Sequence, residues 1–224
     1  RIEGRGTDEA EPWAPEFDDI YFAPGQGEAE STSVFLEGNA LAERAGQASS
    51  FSICETGFGT GLNFLLTADL FERQSPAFLH YVSFEKRPLR PEDLARALSR
   101  YAPSMAKKAL LAHYPPLVPG FHTIEINERT LLTLVFGDAL EMVPLLRGQF
   151  DAFFLDGFAP SRNPDLWSEA LLLELGKRAK PGATLATFSA AGSVRRALVA
   201  AGFSVEKVPG FGGKRERIQA VYPA

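Results

Sequence analysis

The sequence predicts an α/β fold: a mostly parallel sheet with helices on both faces. Apolar, strand-like runs alternate with helical patterns from Phe51 to Ala201, the signature of strand–helix–strand units. Gly57, Gly59 and Gly61 follow the first of those strands and precede a helical pattern. An α/β chain brings its backbone against a nucleotide-like ligand in this way, because a Cβ would block the tight turn and the close approach. Acids stand at the ends of later strands, at Glu85, Asp138 and Asp156.

Composition sets the bounds. The chain has 224 residues, 45% hydrophobic and 23% charged, enough to close a core within one domain. No window approaches the roughly 20 apolar residues of a membrane helix, and the N-terminus lacks a signal peptide's basic-then-apolar layout. One cysteine, Cys54, cannot form an internal disulfide, which points to a reducing, cytoplasmic setting. The net charge of −5 argues against wholesale nucleic-acid binding and leaves room for a local basic patch. Residues 1–11 read as a disordered or vector-derived tail, since Ile2-Glu3-Gly4-Arg5 has the form of a protease-cleavage linker. A natural polar tail is the equal alternative. Residues 12–224 are expected to form one domain, with an N-terminal elaboration over 12–48.

That elaboration is expected to be a β-hairpin. Asp18-Asp19-Ile20-Tyr21-Phe22 and Ser33-Val34-Phe35-Leu36 are β-prone runs around Pro24-Gly25-Gln26-Gly27. A short helix over 37–45 follows. Strand 51–55 then precedes helix 60–72, and strand 79–85 precedes helix 91–101, with Pro91 as a first-turn proline. A further helix is expected over 104–113. Runs 121–127 and 130–136 alternate apolar with polar residues and turn at Glu128-Arg129, which reads as a hairpin. Strand 152–155 lies between helices at 139–146 and 164–179, and strand 183–188 feeds helix 193–201. Runs 204–208 and 216–221, split by Pro209-Gly210-Phe211-Gly212-Gly213, read as a closing hairpin that adds an antiparallel strand.

The glycine loop alone is weak evidence, since such patterns also make ordinary turns. The dinucleotide fingerprint wants a Gly or Ala where this chain has Leu62. The mismatch argues against NAD and for the looser loop of S-adenosylmethionine (SAM) enzymes. Glu85 can accept from ribose hydroxyls, as in any adenosine site; otherwise it is a solvated acid at a strand end. Asp138 can accept from an adenine amino group, with Ala139 supplying a backbone donor. It can equally cap the helix beginning at Ala139, and the two roles can coexist. Asp156 opens a turn after the apolar run Phe153-Phe154-Leu155. A buried carboxylate there needs partners, and a sulfonium or a substrate amine suits it. Phe158 and Trp167 can stack on a base or simply fill core. His80, His113 and His122 read as structural, and the chain shows no metal-ligand cluster.

Taken together, these motifs resemble a known family. Glu55-Thr56-Gly57-Phe58-Gly59-Thr60-Gly61-Leu62-Asn63-Phe64, Ser83-Phe84-Glu85-Lys86, Phe136-Gly137-Asp138, Phe154-Leu155-Asp156-Gly157-Phe158-Ala159-Pro160 with Asn163-Pro164, Leu185-Ala186-Thr187-Phe188, and Gly210-Phe211-Gly212 with Lys214-Arg215-Glu216 look like the methyltransferase domain of the MnmC family. Asp18-Asp19-Ile20-Tyr21-Phe22 and Val34-Phe35-Leu36 with Gly38-Asn39 match its N-terminal signature. The resemblance spans nearly everything after Pro12. It implies a Rossmann-like, class I SAM-dependent methyltransferase acting on the amine of 5-aminomethyl-2-thiouridine at the tRNA wobble position. It implies cofactor contacts at Glu55, Gly57, Phe58, Gly59, Gly61, Asn63, Glu85, Lys86, Asp138, Ala139 and Asp156. Many family members carry a FAD-dependent oxidase domain, so the expected partners are tRNA and a separate oxidase, with no FAD in this chain. The chain is then a stand-alone methyltransferase or an excised piece. Ser31-Thr32-Ser33 departs from the family pattern, where an Arg and an aromatic residue precede Val34.

Methyl transfer to an amine is an in-line displacement, in which an enzyme positions reactants and stabilises charge. Asp156 is the candidate catalytic residue, orienting the amine and stabilising the ammonium. Tyr21, Phe22 and Phe158 are candidate stacking partners for a flipped base. Lys214 and Arg215 are candidate phosphate contacts, alongside Lys86, Arg87, Arg90, Lys107, Lys108, Arg162, Arg195, Arg196 and Arg217. For each, a solvated surface charge is the bland alternative. Methylation of another amine, a non-catalytic binding partner and a nicotinamide dehydrogenase are the rival readings.

Overall fold

A computed structural model describes residues 13–14, 19–20 and 26–224. The expected tail over 1–11, Tyr21, Phe22 and the turn residues Pro24 and Gly25 lie outside the described residues. The elements run β1 (Trp13–Ala14), β2 (Asp19–Ile20), α1 (Gly27–Ser31), a π-helical segment (Thr32–Glu37), α2 (Leu41–Ala45), β3 (Ser50–Glu55), α3 (Leu62–Gln74), β4 (Phe78–Glu85), α4 (Pro91–Ala97) and α5 (Met105–His113). They continue with β5 (Gly120–Asn127), β6 (Thr130–Phe136), α6 (Ala139–Met142), β7 (Phe150–Phe154), α7 (Glu169–Gly176), β8 (Ala179–Thr187), α8 (Gly192–Ala200), β9 (Ser204–Pro209) and β10 (Glu216–Val221).

One eight-stranded sheet has the order β5-β6-β4-β3-β7-β8-β10-β9. Strands β6, β4, β3, β7 and β8 are parallel. The hairpins β5–β6 and β9–β10 close the two edges with antiparallel strands. The chain leaves β3 toward β4 on one side and returns to β7 on the other. The topological switch point therefore lies at the carboxyl end of β3, where open α/β sheets bind ligands.

Both faces of the sheet are covered, so the central strands are apolar throughout rather than alternating. In β3 and β4, Ile53, Leu79 and Tyr81 enter one core with Phe35, Leu41 and Phe64. Cys54, Val82 and Phe84 enter the other with Leu171, Leu175 and Leu198. Burying an apolar side chain is worth about 1.5–3 kcal/mol, so the two-faced pattern pins the register of every central strand.

The expected N-terminal hairpin is corrected in part. Ser33-Val34-Phe35-Leu36 is not its second strand but part of the π-helical segment. A strand would send consecutive side chains to opposite faces, yet Val34, Phe35 and Leu36 are all buried. Phe35 stacks on Phe154 with ring centroids 5.2 Å apart. Strand β2 pairs instead, antiparallel, with β1. The helix expected over 37–45 shrinks to α2, because Ala40 is left-handed with φ 50°. The helix expected over 164–179 begins as a 3₁₀ turn, Pro164–Trp167. Ser168 then caps α7, and β8 starts at Ala179.

Candidate active site

The site is built at the exits of β3, β4 and β7. Three backbone bonds lock the loops together. Thr56 N–H donates to Phe154 O at 3.1 Å, Phe58 N–H to Phe84 O at 2.9 Å, and Gly137 N–H to Glu85 O at 3.0 Å. The Thr56 hydroxyl donates to Asp156 O at 2.6 Å and accepts from Asp156 N–H at 3.1 Å. A Cβ on Gly57 would lie 3.0 Å from Asp156 O, so glycine lets the two loops touch without displacing either. Gly61 caps α3 in the left-handed region, φ 78°, with the Phe58 ring packed beneath it.

A cleft opens above these loops. Ser31, Thr56, Gly57, Phe58, Gly59, Thr60, Leu62, Asn63, Glu85, Lys86, Arg87, Asp156, Gly157, Phe158, Arg162, Asn163, Pro164, Asp165 and Leu166 line it. Of the residues singled out in the sequence, Gly57, Phe58, Gly59, Asn63, Glu85, Lys86, Arg87, Asp156, Phe158 and Arg162 meet there. Glu55 is fully buried behind the wall and reaches the cleft only through Asn63. Gly61, Asp138 and Ala139 shape turns without lining it, and Lys214 and Arg215 lie outside it. Ser31, Thr56, Leu62, Asp165 and Leu166 were not singled out from sequence as site residues. An Asn-Pro turn signal at Asn163-Pro164 marks the segment that brings Asp165 and Leu166 in.

Three acids have raised pKa values, held back to different degrees by their hydrogen-bond partners. Glu85 accepts from Gly59 N–H at 2.9 Å and Arg87 N–H at 2.8 Å. Burial raises its pKa and those two donors pull it back. Asp156 accepts from Asn63 Nδ2 at 2.7 Å and Gly157 N–H at 2.8 Å. Burial lifts it to about 6, against those hydrogen bonds. Glu55 accepts from Ser83 Oγ at 2.6 Å and Asn63 Nδ2 at 2.8 Å. Burial, and then the charge of Asp156, push it to about 8, so it is a neutral acid at pH 7. Asn63 thus bridges a protonated acid and a charged one. Its own Oδ1 is buried without a protein partner, an acceptor beside the glycine loop.

Asp138 Oδ1 caps α6 through Leu140 N–H at 2.9 Å, and its Oδ2 holds Lys86 Nζ at 2.7 Å. The lysine lowers the Asp138 pKa and rises in turn. Lys214 Nζ lies 2.5 Å from Glu30 and 5.3 Å over the Phe188 ring. Among the described residues no group of three His, Cys, Asp or Glu could hold a metal. None of their helices is long and apolar enough to cross a membrane.

The cleft sits at the switch point, where open α/β sheets bind ligands, and comparison with known proteins gives the family. A family model described as S-adenosyl-L-methionine-dependent methyltransferase matches residues 103–223, more than half of the chain. The chain belongs to that methyltransferase family. The methyltransferase is 50% identical, over 94% of its length, to the tRNA 5-methylaminomethyl-2-thiouridine biosynthesis bifunctional protein MnmC of Aromatoleum aromaticum. It is 49% identical, over 95%, to the protein of that name from Pseudomonas paraeruginosa. It covers 34% of each, so it spans about a third of these curated relatives. The crystal structure of MNMC2 from Aquifex aeolicus aligns with TM-score 0.73 at 25% identity, covering 93% of this chain and 65% of that one. A precorrin-6y C5,15-methyltransferase from Geobacter metallireducens shares the fold at TM-score 0.54 and 15% identity, covering 100% and 99%.

Proposed function

We propose that this chain methylates the primary amine of 5-aminomethyl-2-thiouridine at the wobble position of tRNA, giving 5-methylaminomethyl-2-thiouridine. The observation that carries the reading is Asp156, an acid held at the cleft wall in a chain half identical to proteins named for that nucleoside. SAM supplies an electrophilic methyl group on a sulfonium. Gly57, Phe58, Gly59 and Gly61 shape the loop that takes its amino-acid end, and the orphan Oδ1 of Asn63 accepts from its ammonium. Glu55 supports Asn63 from behind. Glu85 accepts from the ribose hydroxyls. Asp138, steadied by Lys86, and the backbone of Ala139 address the adenine edge.

Asp156 accepts an N–H of the substrate amine, aims its lone pair at the methyl carbon and stabilises the ammonium that forms. With a pKa near 6, it is charged at pH 7 and suited to that task. Phe158 walls the base. Tyr21 and Phe22 keep their proposed stacking role, and Arg215 with the rim arginines Arg87 and Arg162 its phosphate contacts. The expected setting is the cytoplasm. An FAD-dependent oxidase, in the same polypeptide or a separate one, would supply the amine.

The test is methyl transfer from labelled SAM into tRNA from a strain lacking this activity, read by nucleoside analysis. Label in 5-methylaminomethyl-2-thiouridine, lost on Asp156→Ala, supports the reading. SAM binding without label in tRNA redirects it to another amine, and no SAM binding removes the enzymatic reading.

A further inference from the structure

The Glu30–Lys214 pair does not line the cleft but borders it at Ser31. Glu30 lies on α1, next to the cleft-lining Ser31. Lys214 lies in the turn between β9 and β10, which is closed by Lys214 N–H donating to Phe211 O at 3.1 Å and Gly210 N–H donating to Arg215 O at 3.4 Å. The pair joins segments 184 residues apart in sequence. The ammonium also sits over the face of Phe188 at 5.3 Å. Phe188 packs edge-on against Trp167 at 5.6 Å, and Trp167 Nε1 donates to Phe158 O at 2.8 Å. Phe158 is a cleft wall. Glu30 and Lys214 both act electrostatically on Asp156, with opposite signs.

A carboxylate, an aromatic face and a second carboxylate within electrostatic reach are what a primary ammonium needs. The chain fills that place with its own lysine. We propose that Glu30, Phe188 and Asp156 form the seat of the substrate amine, and that Lys214 is a placeholder which the incoming amine displaces. This inference rests on the amine-methylation reading above and adds to it a second substrate-binding acid and an exchangeable lid cation. The seated ammonium must first release one proton to solvent, because only the neutral amine has a lone pair to offer. Methyl transfer then moves positive charge from sulfur to nitrogen, and two carboxylates at the nitrogen end, with the lysine gone, favour that movement. The turn that must move holds Gly212 and Gly213, both left-handed, and the side chain of Lys214 is half exposed. Release therefore breaks one ion pair of modest worth.

The experiment is steady-state kinetics of the whole chain on a synthetic anticodon stem-loop carrying 5-aminomethyl-2-thiouridine, with SAM affinity measured by calorimetry. Glu30→Gln is expected to raise KM for the stem-loop roughly tenfold, with Glu30→Asp recovering part of the loss and the SAM Kd unchanged. Lys214→Met is expected to lower that KM by about threefold, because the competitor is removed. A Glu30→Gln KM within about twofold of wild type overturns the seat. A raised KM in Lys214→Met, with a salt dependence shallower by about one charge, overturns the placeholder and makes Lys214 a phosphate contact. If wild type binds SAM but leaves the stem-loop unmethylated, the amine-methylation reading itself fails and the seat falls with it. That outcome is distinct because it is seen before any variant is made.

Discussion

The side-chain amide of Asn63 donates to Asp156 Oδ2 at 2.7 Å. The first turn of α3 thereby fixes the carboxylate that opens after β7, and the glycine loop and the acid loop become one device. Removing the amide frees the carboxylate to rotate and takes away a hydrogen bond that lowers its pKa. Asn63→Ala should cut kcat on tRNA by about tenfold or more, the usual cost of loose positioning. It should also move the acid limb of the pH–rate profile upward. An unchanged limb with lower kcat would mean that Asn63 acts only on the cofactor.

On the proposed reading Asp156 itself sets that limb. Burial raises its pKa to about 6, and the carboxylate is the form that accepts from the amine. The rate should therefore rise with pH through about 6. Amine deprotonation also raises the rate with pH, at higher values. Asp156→Asn separates the two: it should lose the lower limb and keep the upper one. On logarithmic axes, a wild-type profile with a single slope from pH 5 to 7 and no steepening below about 6 would remove Asp156 from the chemistry.

Much of this site was legible in the sequence, for a reason that also marks the limit. Gly57, Glu85, Asp138 and Asp156 each close an apolar strand, and in a doubly wound sheet strand ends converge at the switch point. Spacing alone therefore brings all four to one end of the sheet, although Asp138 stands outside the cleft lining. The Val34-Phe35-Leu36 run was misread because three consecutive apolar residues suit a buried strand and a wound segment equally. Only its packing against Phe154 decides. The Lys86–Asp138 and Glu30–Lys214 pairs span 52 and 184 residues, and no local pattern connects such partners.

Glu55 supplies a stability test. Its folded pKa of about 8 lies above the 4.5 of a free glutamate, raised by burial and then by Asp156. A raised carboxyl pKa means that the folded state holds a proton the unfolded chain has released. Stability is then greatest below about pH 4.5 on this account and is lost as pH rises toward 8. Glu55→Gln keeps the shape and removes the titration. Its melting temperature should gain on wild type steadily between pH 5 and 8.5. Parallel curves for the two proteins would mean that Glu55 is charged throughout.

The contact of Gly57 with Asp156 gives the sharpest substitution. An added Cβ would stand 3.0 Å from Asp156 O and 3.3 Å from Gly157 Cα, and both are backbone atoms that cannot swing away. The loops must part by a few tenths of an ångström. That movement shifts the Thr56 hydroxyl, which both donates to and accepts from Asp156. Gly57→Ala should leave the sheet intact, because no strand residue is touched, and cost about 1–3 kcal/mol of stability. SAM affinity and kcat should fall together, since one displacement spoils the cofactor loop and the acid loop at once. Retained SAM affinity with kcat alone reduced would show that the loop carrying Asp156 yields while the glycine loop holds its place.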